Sequence, residues 1–290
     1  MARKIAIVTD SSACLPAGPV TRYAIQVVPL SLIFGEVHYR DGVDISPMEF
    51  YTRLRETREV PRTAHSSPGA YLAAYREAAR IAPEVLCITL SSSFSGQFNS
   101  AQVAAELARE AMPGLTVRVL DSGTAASSLG FVVLAAAQAA SGDGTPAEVL
   151  AVARRVARQV YLVAMVDSLD YLVRGGHVPR AAAWANSLFR IKPLVALNGG
   201  EARLVARTRS KARAMERIIR IIKQRAAPQR PLHIAVMHAD ALDDAVTLRD
   251  KIAARYDCAE LYITEFTPVM GSHIGPGLIG VAFYPVPVAS

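Results

Sequence analysis

Residues 88–101 read Ile-Thr-Leu-Ser-Ser-Ser-Phe-Ser-Gly-Gln-Phe-Asn-Ser-Ala, an apolar strand ending in four serines and a glycine just before a helical pattern. The first-turn N–H groups of a helix have no carbonyl partner, and with the helix dipole they favour a small anion. Hydroxyls such as that of Ser95 can donate or accept a hydrogen bond at the same spot. The turn carries no lysine or arginine, and the phosphate-loop spacing that ends in Lys-Ser/Thr is missing. That chemistry suits a carboxylate or one phosphate better than a nucleoside triphosphate. The same residues also fit a serine cap on an ordinary helix.

Other segments carry weaker signals. Residues 271–280 hold four glycines around His273. Gly275-Pro-Gly277-Leu-Ile-Gly280 has the glycine spacing of a dinucleotide site, but the apolar residues that follow read as strand, Pro276 removes a donor and no acid stands twenty positions on. The glycines instead predict a tight loop joining two strands, with His273 either structural or part of a site. Arg174, before Gly175-Gly176, could bind phosphate through its fork or cap the preceding helix. The loop at 61–68 offers Ser66 or Ser67 as a helix cap. No Gly-x-Ser-x-Gly elbow is present, and no His, Asp or Glu grouping has metal-ligand spacing.

The elements that must position these residues follow an alternating pattern. Short, nearly continuous apolar runs at 5–8, 85–90 and 115–120 predict strands covered on both faces, and helices are predicted at 70–82, 95–111 and 124–140. Right-handed crossovers then give an open parallel sheet. Strand one runs into Thr9-Asp10-Ser11-Ser12, the second into 91–95 and the third into Asp121-Ser122-Gly123. Ligands of such sheets bind outside the carboxyl ends of strands, so the three loops predict a polar rim around a head group. Residues 25–60 interrupt the alternation as a hairpin-like excursion toward the other half, with Ser46-Pro47 starting a short helix. Beyond about 160, strands at 161–166, 195–197, 232–237, 260–266 and 278–284 alternate with helices at 168–173, 178–189, 209–225 and 243–256. A tight turn is expected at 174–176. The expected fold is α/β: an N-terminal open parallel sheet with flanking helices (1–160) and a second α/β domain with a mixed sheet (161–290).

Half of the 290 residues are hydrophobic, so the chain can bury a full core. No apolar run reaches membrane-span length, the start has no signal-peptide pattern, and Cys14, Cys87 and Cys258 lack metal spacing. A cytoplasmic location is expected, with the cysteines as small core residues. The formal charge of +7 is concentrated: between Arg203 and Arg230 ten basic residues face one acid, Glu216. Residues 209–225 read as an amphipathic helix with a basic outer face. That face fits a solvated surface, or a docking patch for an acidic protein or a membrane surface. Nucleic acid is not expected as a partner, because no recognised binding pattern accompanies the charge.

Taken together, the blocks resemble the DegV family, the fatty-acid-binding proteins that serve as the B subunit of bacterial fatty acid kinase. The resemblance spans nearly the whole chain. It rests on Ile7-Val8-Thr9-Asp10-Ser11-Ser12, Val28-Pro29-Leu30, Asp41-Gly42-Val43-Asp44-Ile45-Ser46, residues 92–101 and Asp121-Ser122. It continues through Leu169-Asp170-Tyr171-Leu172-Val173-Arg174-Gly175-Gly176, Ile191-Lys192-Pro193 and His273-Ile274-Gly275-Pro276-Gly277. It implies a long-chain fatty acid in an apolar slot between the domains, its carboxylate reaching Thr63, Ser95 and the Gly96 N–H. Arg174 and His273 would lie near the head group or along the phosphoryl path.

The implied function is a ligand-presenting subunit, not catalytic alone and without a cofactor, that offers the carboxylate to a separate ATP-binding kinase subunit for acyl-phosphate formation in phospholipid synthesis. Transient contact with a membrane surface is compatible with it. Several positions depart from the family pattern: Thr-Ser-Gln is Thr63-Ala64-His65, the threonine after Ser-Gly is Gln97, a second arginine is His177, and a threonine is Ile274. Two other functions compete. One is a lipid carrier or sensor without a kinase. The other is an acyl hydrolase or transferase using Ser95 as nucleophile and His273 as base, which needs the two within hydrogen-bond reach.

Overall fold

The structure, a computed structural model, describes residues 3–57, 61–175, 191–226 and 230–287. The chain divides into two compact units, Met1–Ser46 with Pro61–Arg158, and Pro47–Val60 with Gln159–Ser290.

The first unit opens with β1 (Ile5–Asp10), a 3-10 turn at Ser11–Ala13, α1 (Ala17–Tyr23), β2 (Gln26–Val28), β3 (Ser31–Phe34) and β4 (Val37–Arg40). After α2 (Pro47–Glu56), which belongs to the second unit, come β5 (Arg62–Ala64), α3 (Pro68–Ala79), β6 (Glu84–Thr89), α4 (Gln97–Ala111), β7 (Thr116–Asp121), α5 (Ala126–Ser141) and α6 (Pro146–Gln159). β2-β1-β6-β7 form a parallel four-stranded sheet. β1 is buried along all six residues, as a strand covered on both faces must be. On one face Tyr71 and Tyr75 of α3 and the small stripe Ala101, Ala104 and Ala108 of α4 pack with Val8, Val85 and Cys87. α5 is buried nearly all round, as a mostly apolar helix without a charged residue demands.

Residues 26–28 were expected within a hairpin-like excursion; instead β2 pairs with β1 and extends the parallel sheet. The hairpin itself is β3–β4, which β5 completes as a separate antiparallel sheet in the order β4-β3-β5. The sequence reading also missed α1 and α6. α6 carries a readable start signal, since the Thr145 N–H donates to Glu148 (2.7 Å) and the Glu148 N–H to the Thr145 hydroxyl (3.3 Å).

The second unit contains β8 (Tyr161–Met165), α7 (Asp170–Gly175), β9 (Lys192–Asn198), β10 (Glu201–Thr208), α8 (Lys211–Arg225), β11 (Leu232–His238), α9 (Leu242–Ala253), β12 (Cys258–Glu265), α10 (Pro268–Ile274) and β13 (Ile279–Pro285). Its sheet runs β10-β9-β8-β13-β11-β12 and is mixed: β11 and β12 are parallel, the other pairs antiparallel. Ile218, Ile219 and Ile222 of α8 and Leu248 and Ile252 of α9 cover it.

The structure departs from the sequence reading at three points here. β10 had no counterpart in the sequence reading; Gly199 and Gly200, both at positive φ (59° and 78°), make the turn that folds it back on β9. Arg174 and Gly175 close helix α7 where a tight turn was expected, the Ser168 hydroxyl accepting the Asp170 N–H at 3.0 Å near its start. His273 lies on helix α10, not in a loop between strands, because Pro268 at the first helical position starts a helix there. The helix expected at 178–189 and the departure at His177 lie outside the described residues. No described helix is long and apolar enough to cross a membrane.

The carboxyl end of β1 carries a fully buried acid. Asp10 accepts the N–H groups of Ser12 (3.1 Å) and Leu90 (2.9 Å) and the Ser12 hydroxyl. Burial still wins and pushes its carboxyl up to about 6. The folded chain therefore holds a proton there that the unfolded chain releases at lower pH. This group's stabilisation is complete below the ordinary carboxylate range and is lost as pH rises through about 6. In urea titrations, the stability of the wild type relative to Asp10→Asn should decline from pH 4 to 7. A flat difference would contradict the assignment.

Candidate functional site

The three hydroxyl-rich loops do meet at the carboxyl edge of the parallel sheet, but most of their groups satisfy one another. The Ser11 hydroxyl donates to buried Asp41 (2.6 Å) and accepts the Leu30 N–H (3.1 Å), tying the β1 exit to the β3 hairpin. The Ser12 hydroxyl goes to Asp10. The Ser92 hydroxyl donates to Asp121 (2.5 Å), which also takes the N–H groups of Ser92 and Gly123. The Ser91 hydroxyl accepts the Ser93 N–H (3.3 Å). The predicted polar rim is thus largely a latch between loops.

Ser95 is the exception. It is half-buried immediately before α4, and its hydroxyl has no partner among the described residues. Gly96 occupies the cap position of α4 and supplies no side-chain cap. The first N–H groups of α4 therefore lack the side-chain acceptor that a serine cap would give them, and the ordinary-cap reading fails here. A partly buried hydroxyl beside uncapped helix N–H groups, with no cation in the turn, is an arrangement for one small anion.

The loop before α3 is fastened to this helix start. Ser67 caps α3, accepting the Ala70 N–H at 3.3 Å, which settles the choice between Ser66 and Ser67. Ser66 turns inward instead: its N–H donates to Gln97 Oε1 (2.9 Å), its hydroxyl accepts from Gln97 Nε2 (3.2 Å) and donates to the Pro29 carbonyl (2.9 Å). Exposed His65 lays its ring against Gly96, with ring atoms 3.4 Å from where a Cβ would stand. Thr63, on β5, is half-buried and pairs with Leu32 of β3. The segment that carries Thr63 is in this way held against the head of α4.

Gln97 is the residue sequence reasoning undervalued. It was noted only as a departure, yet it is fully buried and bridges two segments 31 residues apart. A buried amide directly after Ser-Gly at a strand–helix junction was the available signal; nothing local announces the His65 contact. Gln97→Ala leaves the Ser66 N–H without its acceptor, a loss of about 1–3 kcal/mol. The urea midpoint should fall and amide exchange at Ser66 should quicken; unchanged exchange would show that the bridge holds nothing in place.

In the second unit, the helices that carry the other two predicted residues, α7 and α10, pack against each other. The Tyr171 ring of α7 packs over Gly275, whose φ of 72° and lack of a side chain allow the approach, and Gly271 of α10 lies against Phe50 and Tyr51 of α2. The Tyr51 hydroxyl donates to the Phe266 carbonyl at 3.4 Å. Arg174 stands in the last turn of α7, and half-buried His273 in the last turn of α10. Ser95 and His273 belong to different compact units. Among the described residues no group of His, Cys, Asp and Glu could hold a metal ion.

Comparison with known proteins finds similarity along nearly the whole chain. A family model described as "Uncharacterised protein, DegV family" matches residues 4–286. A DegV domain-containing protein of Streptomyces coelicolor is 38% identical over 283 residues, covering 97% of this chain and 98% of that one. A solved Thermus thermophilus structure, named for fatty acid binding of a DegV family protein, superposes with a TM-score of 0.90 at 30% identity, covering 98% of this chain and 100% of that one. The Bacillus subtilis structure of DegV, called a fatty acid binding protein, gives a TM-score of 0.88 at 29% identity with the same coverage. A match of this extent, to the family model and to a relative well above 30% identity, means that the chain belongs to the DegV family.

Proposed function

We propose that the protein binds a long-chain fatty acid and presents its carboxylate to a separate ATP-binding kinase subunit, which converts it to an acyl-phosphate. The observation that carries this reading is the uncapped start of α4 beside a Ser95 hydroxyl with no partner among the described residues, in a chain whose structural relatives are named as fatty acid binders. The carboxylate accepts from Thr63, Ser95 and the Gly96 N–H. Each methylene of the tail contributes about 0.8 kcal/mol on burial, so ten supply roughly 8 kcal/mol before ordering costs. The tail thus provides most of the affinity and the hydroxyls fix its orientation.

Neutral donors also suit the chemistry that follows. A buried arginine clamp would hold both carboxylate oxygens, whereas hydroxyls leave one free to attack a phosphoryl group. Arg174 and His273 are the second unit's groups assigned to the transferred phosphoryl charge or to the docked partner. The hydrolase alternative needs a base bonded to the nucleophile, and Ser95 has none among the described residues.

The test is a reconstituted assay with the kinase subunit, ATP and a radiolabelled fatty acid. Acyl-phosphate should form only when this protein is present, and the protein alone should leave ATP untouched. Acyl-phosphate formation without it, or hydrolysis of an acyl ester by it alone, would overturn the reading.

A further inference from the structure

Among the described residues, a concentration of unpaired positive charge lies on the second unit. A groove of about 620 Å³ runs between β10 and α8, with Arg207 on the strand side and Arg213, Arg217 and Arg220 on the helix side. None of these four arginines has a carboxylate partner among the described residues. Glu216, the one acid in the groove, is already held by Lys251 (2.9 Å) and Arg255 (3.4 Å). Val205 and Ala206, both half-buried, contribute apolar surface between the arginine walls. Four like charges gathered on one concave surface repel one another until an anionic partner arrives.

The spacing defines the partner. Arg213, Arg217 and Arg220 stand at i, i+4 and i+7 on α8, one stripe about 10 Å long. An acidic helix with carboxylates at the same spacing matches that stripe fork to carboxylate, with Arg207 closing from the other wall. A lipid surface fits less well. It would meet a groove, and among the described residues the exposed large apolar side chains of this unit, Met48, Val173 and Leu242, do not line it. We propose that this groove docks an acidic helix of a partner protein, with carboxylates at i, i+4 and i+7 paired to Arg213, Arg217 and Arg220. The inference does not depend on the identity of the bound ligand.

Two alanine-rich helical peptides test it by fluorescence anisotropy. One carries glutamates at i, i+4 and i+7; the other carries the same glutamates spread around the helix. The face-matched peptide should bind at least about fivefold tighter, and Arg217→Glu with Arg220→Glu should weaken it about tenfold or more. The milder Arg217→Gln with Arg220→Gln pair should weaken it in the same direction, and circular dichroism should find both pairs folded. Added salt should weaken binding, while fatty acid retention stays unchanged. Equal affinity for the two peptides, or indifference to both variant pairs, would overturn the proposal. So would arginine-dependent flotation with vesicles of phosphatidylglycerol and phosphatidylcholine in equal parts, in the absence of peptide binding, since it would make the occupant a lipid surface.

Discussion

Replacing Ser95 by alanine together with Thr63 by valine is expected to abolish acyl-phosphate formation in the reconstituted system while weakened fatty acid binding persists. Each substitution removes a neutral donor to a charged acceptor, a contact of roughly 1.5–3 kcal/mol. The pair together should lower affinity by about a hundredfold to ten-thousandfold, since roughly 1.4 kcal/mol is tenfold. Tail burial, at about 0.8 kcal/mol per methylene, is untouched by either change. Turnover should suffer far more than binding, because an in-line attack needs the carboxylate oxygen held in one orientation and the tail alone does not supply it. Valine keeps the branched shape that suits Thr63 to its strand, so β5 should remain paired with β3. Retained turnover would remove both residues from the mechanism.

Gly280→Val is expected to be the most damaging single change to the fold. Gly280 sits near the start of β13, in the interior of the six-stranded sheet between β8 and β11. A Cβ there would stand 2.5 Å from the Ala164 Cβ, 2.7 Å from the Val163 carbonyl oxygen and 2.8 Å from the Ala164 Cα. Two of those atoms are backbone, so no side chain can swing aside to make room. Over-packing of this kind costs about 3 kcal/mol or more, a large share of a domain's total stability. The soluble yield should collapse, and any folded fraction should melt well below the wild type. A normal melting temperature would mean that β8 and β13 can part more easily than their register implies.

The parts of the fold legible in the sequence are those where burial dictates pattern. β1 and β6 are continuous apolar runs because both faces of a parallel sheet are covered, and α8 announces itself through Met215, Ile218, Ile219 and Ile222 at helical spacing. β10 was hidden because it is an edge strand bearing Arg203 and Arg207, so its apolar alternation is diluted by exposed charge. His273 was misplaced because four nearby glycines outweighed the single proline that starts its helix. In the candidate site, the carboxyl-edge loops could be read from strand ends, since chain direction alone brings them together. That Ser11 and Ser92 would be occupied by Asp41 and Asp121 could not, because those pairings join residues 30 and 29 positions apart that no local motif links, unlike the Ser12–Asp10 bond between near neighbours.

The most direct test of the central claim, that Ser95 and the start of α4 receive the carboxylate of a fatty acid, is denaturing extraction of the purified protein followed by mass spectrometry. A long-chain fatty acid should be released in near-equimolar amount from the wild type and in clearly lower amount from the Ser95→Ala, Thr63→Val protein. A wild type that yields no fatty acid, and takes up none when supplied with it, would contradict the account.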